Sequence, residues 1–488
     1  MRTLRDKRFR YGTFSTVMML FAIMVFVFVN LLAGEFDRSF DLTEQQLFSL
    51  SPQSREFLEE LEQDITITRV AGAGQGLPDV LANIPRITAQ LLHEYAAASP
   101  RIRVETRDPM LNPALIHRFA AEAGIDDGIP DHSVVVESAT GIHVIEPQEM
   151  VDFDFNPFTG RVTHVRNYNI EREITRAIAN VTRDVMEIYF VTGSGEILLP
   201  PNLITFLEAE NFVLREVNLV LEEIPETAKL LLITMPSRDW TEPKAARIAN
   251  FLEAEGSAFV ALSLAPSPTP NMANVLDEYG FSITQNIIIE SNQQNIFGGR
   301  ASPFIIPNIR QHEITEGIRA RNFANIVPFF PAEMQINPVR RTTLEIEPLW
   351  FTSVNAFSRH IDTDTETLAQ IPSDNQGPFP LALAITDRIF MSGAEYQTRI
   401  VAVNNRDFLS PSLNAYIGEG NWHFLLNSLR WLHGEPPAVF IPSRTPPGQT
   451  PLLITGGAAT ALTSVAMGAL PLICQAIGMF VWLRRRHG

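Results

Sequence analysis

Two long runs of uncharged residues lie at the ends of this 488-residue chain, and they restrict its fold more than any other feature. The first is 11–33, with 23 residues, and the second is 452–483, with 32 residues. About 20 apolar residues in a helix cross the hydrocarbon core of a bilayer. The apolar part of a cleaved signal peptide is shorter, about 7–15 residues. The sequence therefore predicts an uncleaved transmembrane helix at 11–33 and a second transmembrane segment at 452–483.

Basic residues flank the outer end of each run. The segment 1–10 has a net charge of +4, and the tail 484–488 carries three consecutive arginines. Positive flanks remain on the cytoplasmic side of a membrane. We therefore expect both termini in the cytoplasm and 34–450 on the extracytoplasmic side of a bacterial inner membrane.

The region between the two runs is strongly acidic. The whole chain has a net charge of −17, so with +4 at the start and +3 at the tail the middle carries −24. Such a surface repels phosphate backbones. Nucleic-acid binding is not expected.

Several kinds of chemistry are missing from the sequence. The single cysteine, Cys474, lies in the second uncharged run, and the only lysines are Lys7, Lys229 and Lys244. The chain therefore lacks a P-loop lysine, an intrachain disulfide and a thiolate metal cluster. It also has no HExxH motif for catalytic zinc. We expect no metal, no cofactor and no catalytic residue.

The outer region is predicted to form two α/β domains, 34–183 and 184–435, followed by a proline-rich spacer at 436–451. In the first domain, apolar periodicity alternates between that of helices and that of strands. Ser51 before Pro52 is typical of a helix start. Helices are expected at about 52–62, 78–98, 113–123 and 170–181, and strands at 65–68, 102–106, 133–137 and 142–145.

The second domain begins with a predicted strand at 186–192. Apolar runs at 230–235 and 258–264 are typical of strands buried on both faces. Thr241 and Gly256 bound a predicted helix. Other expected elements are helices at 203–210 and 421–433 and strands at 213–219 and 399–403. Residues 291–395, rich in proline and asparagine, are expected to be irregular.

A glycine turn is the best candidate for a ligand site. Gly193, Ser194, Gly195 and Glu196 follow a predicted parallel strand, and ligands usually bind at that edge of an α/β sheet. Asp407 follows a later strand, at what is expected to be the same edge. The alternative is that both are local turns. Glu290 has the same two interpretations, and His312 is expected in a loop.

The second membrane segment has small residues at every fourth position. Ridges of this kind allow another transmembrane helix to approach closely. Ordinary membrane-helix composition is the alternative. The predicted packing ridge consists of Gly456, Thr460, Ser464 and Gly468.

In order and spacing, several segments resemble the GldG family, the auxiliary component of an ABC transporter associated with gliding motility and also found in non-gliding bacteria. The resembling segments are Asp41–Glu44, Leu50–Pro52, Tyr189–Glu196, Leu230–Met235, Phe251–Gly256, Ala258–Leu264, Arg399–Val403, Asn405–Ser410 and Gly420–Asn421, followed by Asn427 and Trp431–Leu432 in the last helix of the outer region. The family turn often has histidine where this chain has Ser194, which weakens any transfer of chemistry to the turn.

The resemblance implies a second domain like a class I glutamine amidotransferase, a fold also used as a scaffold in an intraflagellar transport subunit. The amidotransferase cysteine is missing here, and a fold alone does not carry activity. The resemblance further implies a separate ATPase and a multi-span permease as partners. The expected function is a non-catalytic, substrate-handling or scaffolding subunit. A membrane-anchored envelope hydrolase using the Ser194 edge and a structural envelope scaffold without a transporter are the alternatives.

Overall fold

The computed structural model describes a set of ranges that together form most of the chain. These are 17–28, 46–72, 77–126, 128–155, 162–264, 268–297, 304–319, 331–362, 369–391, 394–405, 407–436, 441, 443–446, 475 and 478–479. The backbone divides into two compact units. One consists of 1–50, 153–168 and 444–488, and the other of 51–152 and 169–443.

Eleven helices of the described residues are numbered α1 to α11 in chain order. They span 17–28, Pro52–Glu59, Ile84–Ala98, Pro113–Glu122, Ile170–Thr182, Pro201–Ala209, Glu242–Glu253, Pro270–Glu278, Glu313–Arg319, Pro411–Tyr416 and Gly420–His433. Short 3₁₀ turns lie at Asp79–Leu81 and Gln293–Asn295.

Twenty strands within the described ranges are numbered β1 to β20. They span Ile65–Val70, Ile102–Arg107, Val134–Glu137, Ile142–Ile145, Val151–Phe155, Val162–Tyr168, Met186–Thr192, Phe212–Asn218, Leu230–Thr234, Ser257–Leu262, Phe281–Ile289, Ile296–Phe297, Phe304–Ile305, Asn308–Ile309, Ala332–Ile336, Leu344–Phe351, Phe357–His360, Asn375–Gln376, Pro380–Met391 and Ala394–Asn404.

The smaller unit contains α1, whose side chains are all exposed. In the same unit, Tyr168 of β6 forms an isolated antiparallel bridge with Arg444, with N···O distances of 2.7 and 2.9 Å. Among the residues described, no helix has both the length and the apolar character needed to cross a membrane. Of the segments predicted to do so, only 17–28, 475 and 478–479 are described, and the predicted packing ridge lies outside the described residues.

The larger unit begins with a four-stranded sheet in the order β2-β1-β3-β4. Strands β1 and β2 are parallel, with Ile65 opposite Ile102, and the other pairs are antiparallel. Helix α2 starts as predicted, because the Ser51 hydroxyl accepts a hydrogen bond from the amide of Ser54 at 3.3 Å. Helix α3 starts at Ile84, later than predicted, because its expected first residues form the 3₁₀ turn.

An eight-stranded sheet follows, in the order β14-β16-β19-β20-β10-β9-β7-β8. Its strands β8, β7, β9, β10 and β20 are parallel. One face packs against α6, α9 and α11 through a core that includes Leu203, Ile314 and Leu425. The other face packs against α7 and α8 through Ile248 and Val275. Because both faces are covered, β9 and β10 are buried throughout, which confirms the interpretation of their apolar runs.

The expectation that 291–395 is irregular is wrong. The described part of this range contains α9, the strands β12 to β19 and the start of β20, and β19 and β20 form a long antiparallel pair. Another sheet has the order β15-β11-β17-β18. The prolines that suggested irregular structure are accommodated at special positions: Pro348 lies beside a register shift in the β16–β19 pair, and Pro380 is the first residue of β19.

Candidate functional site

The topology of the large sheet defines where a ligand is expected. Its five parallel strands, taken in chain order, occupy the order 2-1-3-4-5, which is the flavodoxin-like arrangement. The strand order reverses between β7 and β9. In such sheets ligands bind outside the carboxyl ends of the strands at this reversal. The predicted turn, Gly193 to Glu196, directly follows β7 and therefore lies at the reversal.

Both glycines of the turn are required by its geometry. Gly193 has a φ of +111° and Gly195 a φ of +74°, which are conformations that favour glycine. A Cβ on Gly195 would lie 2.2 Å from the hydroxyl oxygen of Ser237, and one on Gly193 would lie 2.7 Å from Val220. The turn is thus packed tightly between the loops that follow β8 and β9.

Backbone hydrogen bonds join the turn to the loop after β9. The carbonyl of Ser194 accepts from the amide of Arg238 at 3.1 Å, and that of Gly195 accepts from Ser237 at 3.3 Å. Beyond the turn, the Ile197 amide donates to the carbonyl of Thr234 at 2.9 Å, and the Thr234 hydroxyl donates to the carbonyl of Ile197 at 2.7 Å. These bonds close the space between β7 and β9 in which a ligand is expected.

A carboxylate of the chain itself occupies the turn. One oxygen of Glu196 accepts a hydrogen bond from the Ser194 amide at 2.6 Å. The other oxygen accepts from the ammonium group of Lys244, which also donates to the carbonyl of Thr192 at 3.2 Å. Backbone amides after a glycine turn are a common anion cradle. Here the anion that the amide binds is the carboxylate of Glu196.

The Glu196–Lys244 pair is fully enclosed. The exposed fraction is 1% for the Glu196 side chain and 0% for that of Lys244. Burial lowers the pKa of Lys244, and the hydrogen bond and charge of Glu196 oppose that effect. Lys244 lies in the first turn of α7, whose N-cap Thr241 accepts a hydrogen bond from its amide. A buried pair with additional hydrogen bonds fixes the geometry of the turn, because removing one partner leaves the other charge uncompensated.

This arrangement does not favour catalysis by Ser194. The residue is only 3% exposed, and its hydrogen bonds at the turn are made by backbone atoms. A serine nucleophile needs an adjacent base and access to substrate. The charged side chains beside it, Glu196 and Lys244, are bound to each other.

Asp407 lies at the same edge of the sheet as the turn but not beside it. It follows β20, and both β10 and β9 separate that strand from β7. At about 4.8 Å per strand the separation is about 14 Å. The Asp407 amide donates to the Asn405 side chain at 3.1 Å, and its carbonyl accepts from Ser410 at 2.9 Å, while its own side chain is exposed. These contacts are those of a local turn.

Glu290 and His312, the two other residues considered in the sequence analysis, both have hydrogen-bond partners within the protein. Glu290 accepts from the amide and hydroxyl of Ser353 at 2.9 and 2.6 Å and from the amide of Asn292 at 2.9 Å. His312 lies in a loop, where its Nδ1 accepts from the amide of Ile314 at 3.1 Å. Both side chains stabilise the loops that contain them.

Sequence reasoning missed Lys244, the most enclosed charged residue of the turn. The available signal was its rarity, because the chain has only three lysines. Its position after Thr241-Glu242-Pro243, at a predicted helix start, gave a further indication. Nothing in the local pattern linked it to Glu196, which is 48 residues away.

Comparison with protein families identifies the class to which this region is related. Residues 187–428 match the family model described as an ABC-type uncharacterized transport system, which comprises auxiliary components. The match runs from β7 into α11 and so includes the turn and the large sheet. This part of the chain is therefore similar to the auxiliary domains of that family.

The other comparisons add less. Residues 44–146 match a model described as Domain of unknown function (DUF7088). No curated protein matches the chain. Among solved structures, the mmIFT52 N-terminal domain is similar over 51% of this chain and 97% of that chain, with 14% identity and a TM-score of 0.36.

Proposed function

We propose that this protein is a non-catalytic auxiliary subunit of an ABC transporter complex, related to the GldG family. It provides an extracytoplasmic substrate-handling or scaffolding domain, and a separate ATPase and a permease are its partners. The observation that carries the proposal is the family match over 187–428. The closed turn at the reversal of the sheet supports the non-catalytic part, because Glu196 occupies the position expected for a ligand.

The subunit is anchored in the bacterial inner membrane by 11–33 and 452–483, with both termini in the cytoplasm. The uncharged runs and their basic flanks support this topology. Alkaline phosphatase fused after about residue 100 should be active. An inactive fusion there, together with an active cytoplasmic reporter at the same point, contradicts the topology.

The partner proposal is tested by co-purification from native membranes followed by mass spectrometry. A permease and an ATPase should be recovered together with the chain. Recovery of the chain without either one contradicts a transporter complex and favours an envelope scaffold.

The small-residue ridge of the second membrane segment is proposed to dock against the permease. Ser464→Leu combined with Gly468→Leu keeps the segment apolar but fills the ridge. Close packing at one small residue of a membrane helix stabilises the pair of helices by about 1 kcal/mol, so the double change is needed to release the partner. The variant should remain in the membrane and no longer co-purify with the permease.

Val17→Leu combined with Phe21→Leu is the matched control in the first membrane segment and should leave co-purification unchanged. If the double leucine variant of the second segment also co-purifies normally, docking belongs to the outer domains instead.

A further inference from the structure

The large sheet has an open cavity at the edge opposite the turn. It has a volume of about 420 Å³ and lies at the amino ends of β9 and β10, beside the middle of β20 and the last turn of α11. Ligand cavities in proteins typically measure about 300–1,000 Å³, so the space is sufficient for a small molecule. Small residues keep it open, among them Ala228, Ala254, Gly256 and Gly434.

Three basic side chains line this cavity: Lys229, Arg399 and His433. Each comes from a different element. Lys229 directly precedes β9, Arg399 lies within β20, and His433 is the last residue of α11. The folded sheet thus brings together groups that are far apart in the sequence.

The guanidinium of Arg399 is held in a fixed orientation. It donates to the carbonyl of Trp431 at 2.6 Å and to the side chain of Gln397 at 3.2 Å, and it lies 5.0 Å from the centre of the Trp431 ring. A guanidinium that is already ordered loses little conformational entropy when it binds an anion. Arg399 is therefore a prepared cationic anchor, and the exposed Lys229 supplies a second cation.

His433 adds a polar group that the chain itself does not satisfy. Its Nε2 is enclosed and has no hydrogen-bond partner among the described residues. The positive charge of Lys229 contributes to a lowered pKa of the His433 imidazole. An unsatisfied enclosed nitrogen is costly unless a ligand or water meets it.

Two carboxylates limit which anion fits. Glu226 and Glu255 also line the cavity, and both are exposed. Their charges offset those of Lys229 and Arg399, so the second negative charge of an anion such as phosphate gains no net attraction in the cavity, and a single carboxylate is the better match.

We propose that this cavity is a binding site for a small organic monocarboxylate, with the carboxylate held between Lys229 and Arg399. The carbon chain of the ligand lies against the small residues of the wall. The site is independent of the transport role and of the turn at the other edge.

An NMR titration of the full chain with butyrate, butyramide and inorganic phosphate tests the proposal. Butyrate should bind, while the isosteric neutral amide and phosphate should bind at least about tenfold more weakly, because a hydrogen bond to a charged group is worth that factor or more. Equal binding of butyrate and butyramide overturns the proposal. Tighter binding of phosphate overturns the assignment to a carboxylate.

Variants at the exposed lysine give the second part of the test. Lys229→Gln should weaken butyrate binding by about tenfold or more, and Lys229→Arg should retain most of it, because it keeps the charge. Arg238→Gln, which removes an exposed arginine from the opposite edge, is the matched control and should bind like the unaltered chain. Unchanged affinity in Lys229→Gln overturns the proposal.

Discussion

The two edges of the large sheet differ in what their loops leave open. At the carboxyl edge the chain fills the expected ligand position with its own carboxylate, and backbone hydrogen bonds close the space between β7 and β9. At the amino edge, where the fold gives no reason to expect a site, Lys229, Arg399 and His433 line an open cavity. The strand order therefore locates a possible site, but the side chains decide whether it is available.

The difference also separates two kinds of charged residue. Glu196 and Lys244 are satisfied by each other and by the backbone, so they serve the structure of the turn. At the amino edge Lys229 is exposed, and Nε2 of His433 has no partner among the described residues. Polar and charged groups that the fold does not satisfy are the better indication of a ligand.

The largest expected effect is the loss of the buried lysine. Lys244→Met leaves the Glu196 carboxylate enclosed without its cation, so the free energy of unfolding should fall by about 3–5 kcal/mol. Urea denaturation of the purified chain measures it. The double variant Lys244→Met with Glu196→Gln should recover much of the loss, because the glutamine removes the charge and still accepts from the Ser194 amide.

Arg101→Met is the control for this change. It breaks the ion pair with Asp64. The side chain of Arg101 is 51% exposed and that of Asp64 is 82% exposed, so water solvates the carboxylate that is left. Its effect should be much smaller. Similar losses in Lys244→Met and Arg101→Met contradict the claim that the carboxyl edge is held by a buried pair.

The next effect concerns the close packing of the turn. Gly195 and Gly124 have nearly the same positive φ, +74° and +69°, but a Cβ on Gly124 meets nothing within 4 Å. Gly124→Ala should therefore show only the backbone cost, about 1–2 kcal/mol. Gly195→Ala should cost more in the same urea experiment, because its Cβ would meet the Ser237 hydroxyl.

Adding Ser237→Gly to Gly195→Ala removes that contact and should bring the loss close to that of Gly124→Ala. If Gly195→Ala and Gly124→Ala already lose the same free energy, the Ser237 hydroxyl rotates away at no cost, and close packing at Gly195 does not hold the turn.

The elements around both edges were predictable where they depend on local chemistry. The apolar runs at 230–235 and 258–264 predicted β9 and β10 because strands covered on both faces have no polar alternation. Caps such as Ser51 and Thr241 predicted helix starts because a hydroxyl satisfies free backbone amides there. The position of Gly193 to Glu196 at a strand end followed from the same local pattern.

What could not be predicted depends on contacts between distant parts of the chain. The strands within 291–395 are stabilised by pairing with other strands of the fold. The prolines of this range instead suggested irregular structure. The pairing of Glu196 with Lys244 and the meeting of Lys229, Arg399 and His433 arise from the order of strands in the sheet. A single sequence carries no local signal for that order.

A smaller effect is expected at the amino edge, where the pKa of His433 can be measured. Burial lowers the pKa of His433, and Lys229 lowers it further, while the Glu187 carbonyl and Glu435 oppose the change. The unfolded chain therefore binds a proton at His433 at a pH where the folded chain does not. This contribution to stability is present above the unfolded pKa of about 6.5 and is lost as the pH falls below it.

Lys229→Gln removes a neighbouring positive charge, so NMR titration should show a higher pKa for His433 than in the unaltered chain. Arg238→Gln, at the other edge, should leave the pKa of His433 unchanged. An identical titration in Lys229→Gln shows that Lys229 and His433 do not share the cavity, which removes one basis for the proposed site.

The smallest expected effect is that of Ser194→Ala. The contacts of Ser194 at the turn are made by its amide and carbonyl, which alanine retains, so the free energy of unfolding should change by less than about 1 kcal/mol. The variant should also co-purify with the permease and support function in cells like the unaltered chain. Lys244→Met is the contrasting variant, since it disrupts the same turn through its buried charge. If Ser194→Ala abolished function while the protein remained folded and inserted in the membrane, the hydroxyl itself would be required. The carboxyl edge would then be a reactive site, and an envelope hydrolase would replace the auxiliary subunit as the better account of this chain.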